Sequence, residues 1–172
     1  MALPDSPTGA PDGGPTSSAA FLLTQLGTHC AHKFAERAAA IGLTPPQVGI
    51  LGLIARSPGQ SQQAVATTLG LLPSRLVGFV DDLEDQGLVE RVRSRTDRRN
   101  YALQLTAAGK RKLGEIGRVG QEHERDICGS LTDSEHDELV RILQRLASEQ
   151  GLIDGVHPGY RSFNKAHGAE AS

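Results

Sequence analysis

Residues 69–94 read LGLLPSRLVGFVDDLEDQGLVERVRS, and the fold turns on this stretch. Gly70 closes one helical segment, Leu72-Pro73 opens the next with proline pre-set for a first helical position, and Gly87 stops it. Between them Leu76, Phe79, Val80 and Leu83 recur at three- and four-residue steps, the stripe of a helix with one buried face. Just upstream Ser61 caps a short helix containing Val65 and Leu69. Two short helices separated by a tight glycine-containing turn have helix-turn-helix spacing. After Gly87 the apolar period falls from about 3.6 to 2: Val89, Arg91 and Arg93 alternate with Glu90 and Val92, and after a polar run Tyr101, Leu103 and Leu105 alternate with Ala102 and Gln104. These are two strands joined by a charged hairpin tip.

Outward from this unit, the pattern is helical on both sides. Thr44-Pro45-Pro46-Gln47 combines an N-cap, proline at the first helical position and a glutamine three residues after the cap, and Val48, Leu51 and Ile54 follow on one face. Further upstream Leu23, Leu26, Cys30, Phe34, Ala38 and Ile41 form the stripe of a helix of about 22 residues, roughly 33 Å long, that begins near Ser18 and stops at Gly42. Downstream, Thr106 caps a second long helix over 107–128 with Leu113, Ile116, Gly120, His123 and Ile127 at helical spacing. Thr132-Asp133-Ser134-Glu135 is a capping box, and Leu139, Ile142, Leu143 and Leu146 mark a last helix that fades at Gly151.

The ends differ from the middle. Residues 1–17 hold four of the nine prolines and almost no large apolar side chain, so they read as a disordered leader, and 151–172 reverts to loop composition and reads as a flexible tail. No window approaches the roughly 18 unbroken apolar residues of a membrane span, and the first residues carry neither a basic region nor an apolar core of a signal peptide, which predicts a cytoplasmic protein with no membrane partner. Cys30 and Cys128 stand far apart with no CxxC spacing, against a disulfide framework or a zinc ribbon. No nucleophile–base pairing, phosphate-cradling glycine loop or paired carboxylates suggests an enzyme, and no cofactor or metal is expected.

Eighteen basic against twenty acidic residues leave a net charge of −2, but the sum hides a local dipole. Asp81, Asp82, Glu84, Asp85 and Glu90 precede Arg91, Arg93, Arg95, Arg98 and Arg99. Planar guanidinium groups fit phosphates bidentately and are favoured in a narrow minor groove, while the helix before them can lie in the major groove. The buried stripe of that helix sits opposite Ser74, Gly78 and Asp81, with Arg75, Val77 and Asp82 flanking. Of these Ser74, Arg75, Val77 and Gly78, together with Ser61, Gln62, Pro73, Arg93, Arg95, Asp97, Arg98 and Arg99, are the expected contacts to double-stranded DNA. Ser74 suits phosphate or a base edge, Arg75 phosphate or guanine, and Gly78 close approach, or alternatively close packing or simple tolerance. Asp81 would repel the backbone unless it pairs with an arginine or accepts from cytosine.

With these residues in place the chain resembles the MarR (multiple antibiotic resistance regulator) family of bacterial winged-helix regulators. The resemblance runs over 21–149 and is carried by residues 69–94, by the junction LEDQGLV at 83–89, and by DRRNYALQLT at 97–106 followed by Ala107-Ala108-Gly109. It implies a mainly α fold with a small β-hairpin wing: a winged helix-turn-helix lobe at 44–106 and a helical dimerisation region built from 18–43 and 107–150. It also implies a homodimer with intertwined first, fifth and sixth helices, Arg99 reaching the minor groove with Asp97 orienting it, and a ligand-responsive repressor on a near-palindromic operator. Apolar stripes on the first and last long helices agree, since a monomer would expose them. Family members often carry Thr-Arg where this chain has Val77-Gly78, so some direct readout or phosphate contact is either missing or supplied by Arg75.

For sensing, the family habit of binding phenolic or aromatic acids points to His29, Lys33 and Arg37 for a carboxylate, with Phe34, Val48 and Leu51 as apolar walls and Cys30 within the same site; the alternative is that these charges are solvated helix surface. Competing readings are a metal site from His29, His32 and His123, and a redox switch at Cys30. The cysteine of peroxide-sensing relatives would instead fall near Ala20 or Phe21, and the tyrosines that would bond it are absent. A winged helix used only for protein contacts is the alternative to DNA binding. In that case the basic hairpin would meet an acidic partner.

Overall fold

The computed structural model describes residues 18–93 and 101–164. They form, in order, α1 (Ala19–Ala40), α2 (Pro45–Arg56), α3 (Gln62–Leu69), α4 (Pro73–Asp85), β1 (Val89–Arg93), β2 (Tyr101–Leu105), α5 (Ala107–Cys128), α6 (Asp133–Glu149) and a 3-10 helix, Pro158–Asn164. The mainly helical fold with one hairpin is the expected one. Its helices begin where hydroxyl caps satisfy first-turn amides: Ser18 accepts from Phe21, Ser61 from Ala64, Thr106 from Gly109 and Thr132 from Glu135. At α2 the Gln47 side chain reaches back to accept the Thr44 N–H at 2.9 Å. Gly70 and Gly87 end α3 and the α4 segment at φ of +66° and +67°, a region that L side chains avoid.

β1 and β2 pair antiparallel with Val89 opposite Leu105 and Arg93 opposite Tyr101. The chain entering α3 adds a rung to this hairpin: Leu103 N–H donates to the Gln60 carbonyl, and Ser61 bridges Ala102. Because side chains alternate along a strand, Leu103 and Val89 face the helices. Ile50, Leu51, Ile54, Val65, Leu76, Val80, Leu83 and Leu103 close the core of this lobe at 1% exposure or less. Each stabilises the lobe by about 1.5–3 kcal/mol.

The long helices are organised differently. Ala38 and Val119 are buried where α1 and α5 cross near the lobe, but Phe21, Leu22, Leu23 and Leu26 remain exposed, and no residue of α6 is buried within the chain. On α5 the inward position is Val119; Gly120, expected on the stripe, faces open space.

The expected flexible tail is corrected as far as residue 164. Tyr160 is buried in the lobe core, and its hydroxyl donates to the Pro46 carbonyl at 2.8 Å. It occupies the room Gly49 leaves, since a Cβ there would lie 1.9 Å from the tyrosine oxygen. The physical reason is the apolar area of Tyr160, Phe163 and Val156, which needs cover but follows no helical or strand period. The leader at 1–17 lies outside the described residues, and no single described helix is long and apolar enough to cross a membrane.

Candidate nucleic-acid interface

On α4 the burial of Leu76, Val80 and Leu83 turns Pro73, Ser74, Val77 and Gly78 outward, with Arg75 half-buried beside them. A Cβ on Gly78 would meet nothing within 4 Å, so the packing explanation for this glycine falls away. The open row lies toward the N-terminal end of the helix, where unsatisfied amides and the helix dipole favour an anion.

Behind this row the acidic and basic runs meet. Arg91 donates from Nη2 to Asp81 at 2.6 Å and to the Glu84 carboxylate from Nη1, while its backbone N–H donates to Glu84 Oε1 at 2.8 Å. Its Nε donates to the Gln62 side-chain carbonyl at 3.0 Å. Of the five arginines that follow the acidic run, Arg91 is thereby engaged with α4 and α3. The pairing compensates the Asp81 charge within the chain. Gln62, expected on DNA, uses its carbonyl to hold Arg91, and Ser61 uses its hydroxyl oxygen as the α3 cap. Arg93 is exposed at the end of β1. Arg95, Asp97, Arg98 and Arg99 lie outside the described residues.

The expected effector residues divide. Lys33 Nζ and Arg37 Nη2 both reach Asp126 Oδ2 of α5, at 2.7 and 2.8 Å, and hold that carboxyl down at about 2. Arg37 Nη1 lies 3.0 Å from His123 Nδ1, and Phe34 meets the His123 ring edge-to-face with centroids 5.5 Å apart. Burial and the neighbouring Arg37 charge push His123 below the usual imidazole range. Phe34 and Val48 are half-buried and His29 is exposed. Leu51 is corrected as a pocket wall: at 0% exposure it belongs to the lobe core. Cys30 is half-buried with a free thiol, His32 pairs with Glu36 at 3.3 Å, and among the described residues no group of three or more His, Cys, Asp or Glu side chains is placed to hold a metal.

Sequence reasoning passed over Asp126 and Asn164. Asp126 stands 93 and 89 positions from its partners, and only the common helical spacing of Lys33 and Arg37 hints at a shared acceptor. Asn164 gave no signal at all.

Residues 41–100 match the MarR family. A protein assigned as transcriptional regulator of the hcr operon in Thauera aromatica is 38% identical over 105 residues, 61% of this chain and 63% of that relative, so less than two thirds of its length is spanned. Among solved structures, the transcriptional repressor CouR bound to a 23-mer DNA duplex is 30% identical with a TM-score of 0.69, covering 81% of this chain and 99% of that one. CouR from Rhodococcus jostii RHA1 bound to p-coumaroyl-CoA is 28% identical with a TM-score of 0.65, covering 78% and 94%.

Proposed function

Because the chain belongs to the MarR family, we propose that it is a non-enzymatic, homodimeric, sequence-specific DNA-binding regulator, acting in the cytoplasm as a repressor that an effector releases. The observation that carries this reading is α4: it buries one face completely and leaves Ser74, Val77 and Gly78 uncovered on the other. Arg75, Arg93 and the hairpin residues Arg95, Arg98 and Arg99 add phosphate and minor-groove contacts, with Asp97 as orienting partner. Residues 44–106 act as the reading lobe. Residues 18–43 and 107–150 act as the pairing region, which the exposed apolar faces of α1 and α6 favour. Two lobes related by a two-fold axis call for a near-palindromic site.

Effector release follows from Asp126. The carboxylate of a free aromatic acid, or a phosphate of its coenzyme A thioester, in which that carboxylate is spent, competes for Lys33 and Arg37 and breaks their bridge from α1 to α5, while the aromatic ring of the free acid lies against Phe34 and Val48. The complex of CouR with p-coumaroyl-CoA supports an aromatic acyl ligand.

The test selects a duplex from a randomised pool with the full-length protein and titrates binding against salt beside a scrambled duplex. Tighter binding to the selected duplex and a steep negative slope of log K against log salt are expected. Equal affinity for the two duplexes overturns the reading, and binding only to acidic protein would favour the protein-contact role. Adding p-coumaroyl-CoA or free p-coumarate to the complex tests release.

A further inference from the structure

The chain beyond α6 returns to the lobe and grips it around α4. It leaves α6 through Gly151 and Gly155, at φ of +67° and +68°, and anchors by Tyr160 beneath α2. The Arg161 stem lies against Gly70, and Phe163 meets Phe79 of α4 edge-to-face with centroids 5.7 Å apart. Asn164 closes the grip: its Oδ1 accepts the Leu72 N–H and its Nδ2 donates to the Gly70 carbonyl, both at 2.9 Å.

We propose that residues 152–164 are a positioning strap for the DNA-reading helix, with Asn164 as the residue that sets the α3–α4 turn. The proposal rests on the reading of α4 as the helix that enters the groove. Gly70 is the C-cap of α3 and Leu72 the N-cap of α4, so one planar amide spans the turn from the end of one helix to the start of the next. The amide fits in one orientation only. Flipped, it would set N–H against N–H and oxygen against oxygen. Leu72 brings no side-chain cap of its own, and Pro73 follows it without an N–H, so Asn164 satisfies a donor at a helix start that is otherwise weakly held.

The strap holds α4 without covering its open row. Phe79 lies five residues from Ser74, about 140° around the helix, so Phe163 braces a rear flank while Ser74 and Gly78 stay uncovered. The strap is also continuous with α6, whose residues are all unburied within the chain. It therefore ties the helix that carries the unpartnered apolar face to the helix that faces DNA.

The experiment uses full-length Asn164→Ala and Asn164→Asp, with amide hydrogen exchange at Leu72 and affinities for the selected and scrambled duplexes. In Asn164→Ala the Leu72 amide should exchange about tenfold faster, and affinity for the selected duplex should fall about three- to tenfold, the worth of a net hydrogen bond. Affinity for the scrambled duplex and the salt slope should not move, because phosphate contacts are untouched. Asn164→Asp keeps an acceptor for Leu72 but sets a carboxylate oxygen against the Gly70 carbonyl where the donor was, so Leu72 protection and selected-duplex affinity should fall between those of the wild type and Asn164→Ala. Unchanged Leu72 protection in Asn164→Ala, or an equal loss on both duplexes, overturns the strap. Should the wild-type protein fail to distinguish the duplexes, the DNA reading falls on its own, and Leu72 exchange still decides whether Asn164 sets the turn.

Discussion

The reading lobe and the long-helix region use similar apolar side chains to opposite ends. In the lobe, eight large residues from Ile50 to Leu103 are at 1% exposure or less, and even the C-terminal segment contributes Tyr160 to that core. On α1 and α6, Phe21, Leu23, Leu26, Leu139, Val140 and Leu143 remain 37–53% exposed. The lobe is complete as a single chain, whereas the long helices leave their apolar faces uncovered in it. The difference teaches where each kind of substitution should act: in the lobe on folding, in the long helices on pairing.

The strongest way to break this contrast is Leu26→Glu combined with Leu143→Glu. Both side chains are exposed in the single chain, and glutamate keeps helix propensity. Sedimentation should report a monomer, and affinity for the selected duplex should drop about 10²-fold or more as two linked contacts become one. The lobe should melt as before. A variant that stays dimeric would place the pairing surface elsewhere.

Leu51→Ala is the converse. It should cost about 2–5 kcal/mol of lobe stability in denaturant unfolding while folded protein still dimerises. The same variant sharpens the correction to the effector site: where the protein remains folded, ligand affinity should be unchanged, because Leu51 has no open surface.

At the joint between the regions, Gly109→Ala should cost about 1–3 kcal/mol. Its Cβ would fall 2.0 Å from the Leu88 carbonyl that accepts the Thr106 N–H, so the start of α5 must shift away from the wing strands. Gly120→Ala on the same helix is the control. With nothing within 4 Å of its Cβ, it should gain up to about 1 kcal/mol of helix propensity, and a loss instead would put position 120 inside the two-chain interface.

Legibility in the sequence followed the range of the interactions involved. Caps act over three residues, so Thr44 with Gln47, Ser61, Thr106 and Thr132 with Glu135 announced four helix starts. The hairpin was equally local, visible as a change of period after Gly87. Contacts between distant segments were not. Tyr160 reaches Pro46 across 114 positions and Asn164 reaches Gly70 across 94, and a three-residue apolar pattern cannot say whether Leu51 lines a cleft or fills a core. The acidic run beside the arginines was plain in the sequence. That Arg91 would turn back onto Asp81 and Glu84 depended on β1 lying beside α4.

The smallest effect sharpens the contrast through pH, because residues 44–106 contain no histidine while α5 and α6 hold two that are shifted in opposite directions. His136 hydrogen-bonds Glu124 across α5 and α6 at 2.7 Å, with Asp137 also near, and this raises its affinity for a proton above the unfolded value. Its contribution is complete below the unfolded pKa of about 6.5 and is lost as pH rises through the raised folded value. His123 is lowered by burial and by Arg37, with Lys33 acting the same way and Glu124 and Asp126 opposing, so stability is lost as pH falls from about 6.5 through its folded value. Asp126, at about 2, titrates only as pH falls from the ordinary carboxylate range toward that value and leaves this window alone. Amide protection factors in the first turn of α6, with the base-catalysed intrinsic rate divided out, should therefore peak at mid-range pH and fall on both sides. His136→Gln should flatten the alkaline limb and His123→Gln the acid limb, each by a small, salt-screened amount, while amides of α2 and α3 show no histidine-dependent change. A limb that survives its own substitution would mean that another group carries it.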